Sequence, residues 1–122
     1  MPENSQGLHE PLETLRAETI DMHRAVVSVM EELQAIDWYA QRVDATEDAE
    51  LRAILQHNRD DEKEHAAMLL EWIRRHDAAF EQQLRKFLFR DGPIATQEPR
   101  SGNGGGSLAS RTSIGSLREV KT

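Results

Sequence analysis

The 122 residues carry 22 acidic against 15 basic side chains, a formal net charge of −7, with 38% apolar residues and no cysteine. That length holds one small domain, the lack of cysteine excludes disulfides, thiolate metal sites and cysteine nucleophiles, and the acidic balance argues against nucleic acid and suits cations. Residues 101–122 contribute +2, through Arg111, Arg118 and Lys121 against Glu119, which leaves −9 on the body. No apolar run approaches the roughly 18 residues of a membrane span. The opening MPENSQGLHE has neither a basic nor an apolar leader region, so a cytosolic, unprocessed chain without membrane contact is expected.

Residues 1–7 are polar and expected to be loose, and Pro11 suits the first turn of a helix. From there Leu15, Thr19, Met22, Val26, Val29, Leu33, Ile36, Ala40 and Val43 recur in alternating steps of four and three, with no Gly or Pro between Pro11 and Gly92. At about 1.5 Å per residue this helix would run on the order of 45–50 Å. Asp44, Ala45 and Thr46 supply cap chemistry, with Glu47 three residues beyond Asp44 as in a capping box, which predicts a tight reversal there. The second helix, over 51–76, has the seam Leu51, Leu55, Asn58, Glu62, His65, Leu69, Trp72, His76. A third and shorter helix is predicted from Ala78 to about Arg90, capped by Asp77, with Phe80, Leu84, Phe87 and Leu88 on its apolar side. Gly92 and Pro93 end it.

From Thr96 the composition turns to Ser, Gly and charge, including GNGGGS at 102–107, which buries too little surface to offset chain entropy. The expected organisation is an all-α hairpin domain over 1–95, a flexible linker over 96–113 and a short peptide over 114–122. Two long antiparallel helices with a seam on each cannot cover their own apolar stripe. A second copy of the chain is the cheapest cover, so a four-helix bundle completed by dimerisation is predicted on packing grounds.

Glu62 and His65 fall inside a line that should be apolar, and a carboxylate aimed inward needs a partner or a metal. Three apart, they share one helical face. On the first helix, Met22, Ala25, Val29, Glu32, Ile36 and Tyr39 form another line, which sets Glu32 within an apolar stripe. Carboxylate di-metal sites in bundles take one Glu from each of two helices and a Glu-x-x-His pair from each of the other two. This chain has half of that set, and a two-fold dimer supplies the rest. Oxygen and nitrogen ligands without thiolate suit iron or manganese, with zinc as an inert occupant. Two irons sharing carboxylates can pass electrons to dioxygen or peroxide and leave as ferric ions, so ferroxidation is the natural reaction. The motif HExxH, a glycine-rich phosphate loop and an evident Ser or Thr nucleophile are all lacking, which gives no support to hydrolysis. A Glu-x-x-His on a charged helix is commonly just solvated; its place in the seam, opposite Glu32 in a hairpin that must dimerise, favours metal.

A second line on the first helix, Val27, Glu31, Gln34 and Trp38, lies about 100° around from Glu32. Glu31 there either collects cations or is a solvated carboxylate beside a partly buried Trp. Tyr39 either hydrogen-bonds a ligand carboxylate or packs with its hydroxyl at the rim. His57, Asp61 and Glu64 share a charged face that reads as wet, and His9, His23 and His76 carry no signal.

At Glu31-Glu32, Asp37-Trp38-Tyr39, Glu62-Lys63-Glu64-His65 and Glu71-Trp72-Ile73-Arg74-Arg75 the sequence resembles the encapsulated ferritins, cargo ferroxidases of encapsulin nanocompartments in bacteria and archaea. The resemblance covers roughly residues 8–95, and Ile114-Gly115-Ser116-Leu117-Arg118 looks like the peptide that targets such cargo to the shell. It implies a ferritin-like half-bundle, similar to half of a ferritin subunit, with a ferroxidase centre formed where two protomers meet and five dimers in a ring-shaped homodecamer. It further implies Glu32, Glu62 and His65 as iron ligands, with Glu62 as the bridge, and Tyr39 beside them. Glu31 and Trp38 match a secondary metal site, where Gln34 replaces the usual second glutamate by an amide that binds hard cations less well. Iron is the implied cofactor, with calcium, manganese or zinc as further occupants. The implied location is an encapsulin nanocompartment in the cytoplasm, whose shell stores the ferric product. Ile114 and Leu117 would fill apolar pockets in the shell, Gly115 would keep the backbone close and Arg118 would pair with an acidic group. Two rival functions share these residues: a non-catalytic metal-binding scaffold dimer whose ligands fix helix register, and a di-iron peroxide scavenger.

Overall fold

The computed structural model describes residues 7–99. The expectations for residues 1–6, for most of the linker and for the peptide 114–118 fall outside the described residues. Within them the chain is all-α, as predicted, with no strand and three helices: α1 (Ala17–Ala45), α2 (Ala49–His76) and α3 (Ala78–Phe87). Single 3-10 turns precede and follow them at Leu12–Thr14 and Ile94–Thr96. No helix among the described residues is long and apolar enough to cross a membrane.

The first helix begins later than the seam suggested. Pro11 opens the 3-10 turn, and its carbonyl accepts from both the Thr14 amide (3.0 Å) and the Thr14 hydroxyl (2.7 Å). Leu15 and Arg16 are extended, so Leu15 drops out of the helical line. The 29 residues of α1 then span about 43 Å. A local side-chain bond after Pro11 competes with helix continuation, as threonine hydroxyls commonly do.

The reversal falls where it was predicted, but its cap is a different residue. Asp48, not Asp44, caps α2, its Oδ1 accepting from the Leu51 amide at 2.9 Å. That bond satisfies one of the orphan donors of the first turn. Thr46 accepts the Asp48 amide through its hydroxyl at 3.2 Å. Arg52 reaches back across the bend and donates to the carbonyls of Val43 and Thr46, so the end of α1 is closed by the second turn of α2.

Along the hairpin, Ala25 and Val29 of α1 pack with Ile73 of α2, flanked by Met22, Leu69 and Trp72, and Val43 and Ala66 are buried as well. The buried side chains are small, and no large one is fully buried. Alanine at 25 and 66 lets the two helices approach closely, which selects the line through Ala25, Val29 and Glu32 as the one facing α2. The neighbouring line is left open: Val26 and Leu33 on α1, and Leu51, Ile54 and Met68 on α2, are all exposed. A hairpin that buries one stripe of each helix and exposes another is short of a partner surface.

The chain divides after Ala78 into two compact units. In the second, α3 ends at Phe87, before the expected Arg90, because Phe89 adopts a left-handed φ of 58° and stops the helix. Gly92, at φ 88°, turns the chain again. Arg90 donates to the carbonyls of Lys86 (3.1 Å) and Glu98 (2.7 Å), and the Gln97 amide to those of Asp91 (2.7 Å) and Pro93 (2.8 Å).

Candidate metal centre

Glu32 comes from the middle of α1; Glu62 and His65 come from one turn of α2 on the facing side. The packing of Ala25 and Val29 against Ile73 sets the helices at a spacing where these side chains meet. His65 Nδ1 lies 3.4 Å from Glu62 Oε1 and 3.5 Å from Glu32 Oε1, and one ligand atom from each residue falls within 4.8 Å of the others. The carboxylates are half-buried, while the imidazole side chain keeps 48% of its surface exposed. The site therefore sits at the edge of the hairpin, beside the open apolar line.

Its electrostatics are those of a group short of positive charge. Glu32 Oε1 is buried and has no hydrogen-bond partner. Two ionised carboxylates cannot donate to each other, so the missing bond forms only when a proton is held between Glu32 and Glu62. That shared proton is the first cause of a Glu32 pKa above its ordinary value; burial and the charge of Glu62 add to it, and His65 opposes it. For His65, burial pushes the imidazole down, but the charges of Glu32 and Glu62 and the approach of their oxygens to its Nδ1 outweigh this and leave it raised. A divalent cation would supply a fixed positive charge between the two carboxylates. Two carboxylates and one imidazole with an orphaned buried oxygen fit a hard or borderline metal ion, and one side of the cluster is open for further ligands.

The other predicted residues stand outside this cluster. Tyr39 is seven residues after Glu32, about 10 Å along the axis, with the Arg42 guanidinium 5.4 Å from its ring centre. Glu31, Gln34 and Trp38 are exposed on another side of α1. His57 Nε2 lies 3.3 Å from Asp61 Oδ2 on an exposed face. His76 is stacked on Trp72, with ring centres 3.9 Å apart, and its Nδ1 is 2.7 Å from the Trp72 carbonyl.

Sequence reasoning gave Glu71 no physical role. Arg74 grips its two oxygens at 2.8 and 2.7 Å, and Arg75 adds a bond of 2.7 Å. The Arg74 hydrogen bonds foremost, against a burial penalty and with help from Arg75, hold its carboxyl down at about 2. The signal was available: basic residues three and four positions after a glutamate.

A helical hairpin with Glu32, Glu62 and His65 clustered across it, next to an uncovered apolar stripe, is an all-α half-bundle of ferritin-like architecture. The EncFtn-like family model matches residues 7–91, and the chain belongs to that family. It is 60% identical over 107 residues, covering 88% of this chain and 76% of the relative, to an encapsulated ferritin-like protein of Rhodospirillum rubrum. It is 47% identical to a ferritin-like protein of Thermotoga maritima, covering 84% of this chain and 94% of that one. A shorter stretch of 51 residues, 42% of this chain and 39% of the relative, is 47% identical to the encapsulin nanocompartment cargo protein EncC of Myxococcus xanthus. Among solved structures, the crystal structure of protein ne0167 from Nitrosomonas europaea superposes with a TM-score of 0.71 at 61% identity, over 74% of this chain and 99% of that one.

Proposed function

We propose that the chain is a ferroxidase, oxidising Fe(II) to Fe(III) at a di-iron centre that two copies complete when they pair through the open stripe. The observation that carries this reading is the buried Oε1 of Glu32, which makes no hydrogen bond, clustered with Glu62 and His65. Three ligands are half of the set that holds two metals in a four-helix bundle, and the stripe left bare by the hairpin adjoins them. Fe(II) is the substrate. Two ferrous ions give one electron each to dioxygen, which takes up two protons and leaves as hydrogen peroxide.

The protein's part is to hold two ions at one place and to manage charge. Glu62 spans the two ions, while Glu32 and His65 each anchor one. Loading needs ionised carboxylates and an imidazole nitrogen free to ligate, so metal uptake should weaken as the pH falls. Tyr39 orients a ligand carboxylate through its hydroxyl, and Glu31 with Trp38 and Gln34 forms a weaker outer cation site on α1.

The names of the Rhodospirillum and Myxococcus relatives support a cargo role. The chain then works inside an encapsulin nanocompartment, docked through Ile114, Gly115, Ser116, Leu117 and Arg118, and supplies ferric iron for mineral storage in the shell. The dimers assemble to a ring-shaped homodecamer. Deleting 114–118 should leave Fe(II) oxidation intact and abolish co-purification with a co-expressed shell; a deleted chain that still loads refutes the targeting peptide. Metal uptake by the wild type with no oxygen consumption would instead select the scaffold dimer.

A further inference from the structure

The open stripe beside the metal cluster is hydrocarbon except at one place. Val26, Leu33, Leu51 and Ile54 are exposed aliphatic side chains, whereas Met68, the most exposed of this line at 58%, carries a thioether. Met68 follows His65 by three positions on α2, so the two share a face. Long side chains on a helix lean toward its N-terminus, which directs the Met68 sulfur over the turn that holds Glu64 and His65. It also lines an open groove along α2 with Glu64, Trp72 and His76, so a solute as small as peroxide has access to it.

The other described methionines stand away from the cluster. Met22 is partly buried against the hairpin core and lies about 15 Å along α1 from Glu32. Met30 is partly buried as well, about 200° around α1 from Glu32. An aliphatic residue would serve packing at position 68 as it does in the rest of the stripe. Sulfur adds a chemistry that carbon lacks, and it stands one turn from a ligand of the site whose proposed reaction releases hydrogen peroxide.

We propose that Met68 is a modification site, where peroxide leaving the cluster is trapped as methionine sulfoxide and the sulfoxide loosens the pair that made it. The sulfur lone pair attacks one peroxide oxygen, the O–O bond breaks and an S–O bond forms. The other oxygen leaves with both protons as water. Sulfur loses two electrons and peroxide gains them, so no further reactant is needed. Thioethers and peroxide react slowly when dilute, and release beside the sulfur supplies the high local concentration that bulk solution lacks. The product is polar and a strong acceptor. Val26, Leu33, Leu51 and Ile54 have no side-chain donor to offer it, so covering it against a partner surface carries a desolvation cost. The inference rests on the proposed ferroxidase reading, which supplies the peroxide.

The full chain is loaded anaerobically with Fe(II), oxygen is admitted in the presence of excess catalase, and peptide mass spectrometry reads each methionine while ferric absorbance follows the iron. Met68 should gain one oxygen at least about tenfold more often than Met22 or Met30, and chain loaded with Zn(II) should stay unmodified. Iron oxidation that leaves Met68 intact, equal oxidation of the methionines, or Met68 oxidation that catalase abolishes overturns the inference alone; the last would make exposure to bulk peroxide the whole cause. Absence of ferric absorbance overturns the ferroxidase reading and removes the inference with it. Native mass spectrometry before and after turnover reads the consequence. Pairing of the oxidised wild type should weaken by about tenfold, and methionine sulfoxide reductase should restore it. Met68→Leu, a volume-conserving change that cannot take oxygen, should give the same masses before and after. A wild type whose masses stay unchanged with Met68 oxidised, or a Met68→Leu variant that dissociates on turnover as wild type does, also overturns it.

Discussion

Two glutamates on α2, nine residues apart, are treated in opposite ways. Glu71 is gripped by Arg74 and Arg75, with every bond at 2.7 or 2.8 Å and its carboxyl held at about 2. Glu62 faces a second carboxylate and an imidazole, in a cluster where Glu32 has a buried oxygen with no hydrogen bond and a raised pKa. The first carboxylate has what it needs from its own helix and does structural work. The second cluster sets two carboxylates against one imidazole and leaves a buried oxygen without a hydrogen bond, the imbalance on which the proposed metal site rests.

The contrast breaks most visibly in activity. In the paired site proposed above, Glu62→Ala or His65→Ala removes a ligand from both halves, so fast Fe(II) oxidation should fall at least about a hundredfold while helicity is retained. Glu71→Ala should leave that rate within about twofold, since nothing at Glu71 reaches the cluster. A rate lost equally in both, measured by stopped flow, would erase the distinction.

A smaller effect is expected in acid. Because the folded Glu71 carboxyl is held at about 2, below its ordinary value of 4.5, its stabilisation is complete above pH 4.5 and is lost as the pH falls toward 2. Glu71→Gln should therefore flatten the fall in stability over that window. Its side chain is 42% exposed, so solvent screening limits the loss at neutral pH to less than about 1 kcal/mol by chemical denaturation.

The smallest effect has the opposite sign. The folded pKa of Glu32 lies above its unfolded value, so its contribution is fully present below pH 4.5 and is lost as the pH rises through the folded value. Glu32→Gln keeps the shape and removes that loss, so the metal-free variant should melt slightly higher than wild type at neutral pH, by less than about 1 kcal/mol, and bind Fe(II) worse. A variant that melts lower would mean that the Glu32 charge already has a partner.

How far these regions could be read in the sequence follows from the range of the interactions. The two long helices and the reversal were legible because apolar residues recur at steps of three and four along both stretches, and Glu32, Glu62 and His65 stood out as polar breaks in those lines. The start of α1 was misread because Leu15 keeps the period while Thr14 closes a local turn on Pro11. The cap was misread because Asp44 and Asp48 both precede a plausible helix, and only the reach of Arg52 across the bend decides between them. Which apolar line turns toward α2 was ambiguous for a similar reason. Two lines share Met22, Val29 and Ile36, and the small side chains of Ala25 and Ala66 settle the choice.

The central claim is that half a metal site becomes a ferroxidase only when two chains pair. Anaerobic Fe(II) loading followed by admission of oxygen tests it, with ferric absorbance and oligomer mass recorded on the same sample. The account predicts rapid oxidation of about one iron per chain, confined to the paired and larger species. Rapid oxidation by the lone chain, or tight binding without oxygen consumption, would contradict it.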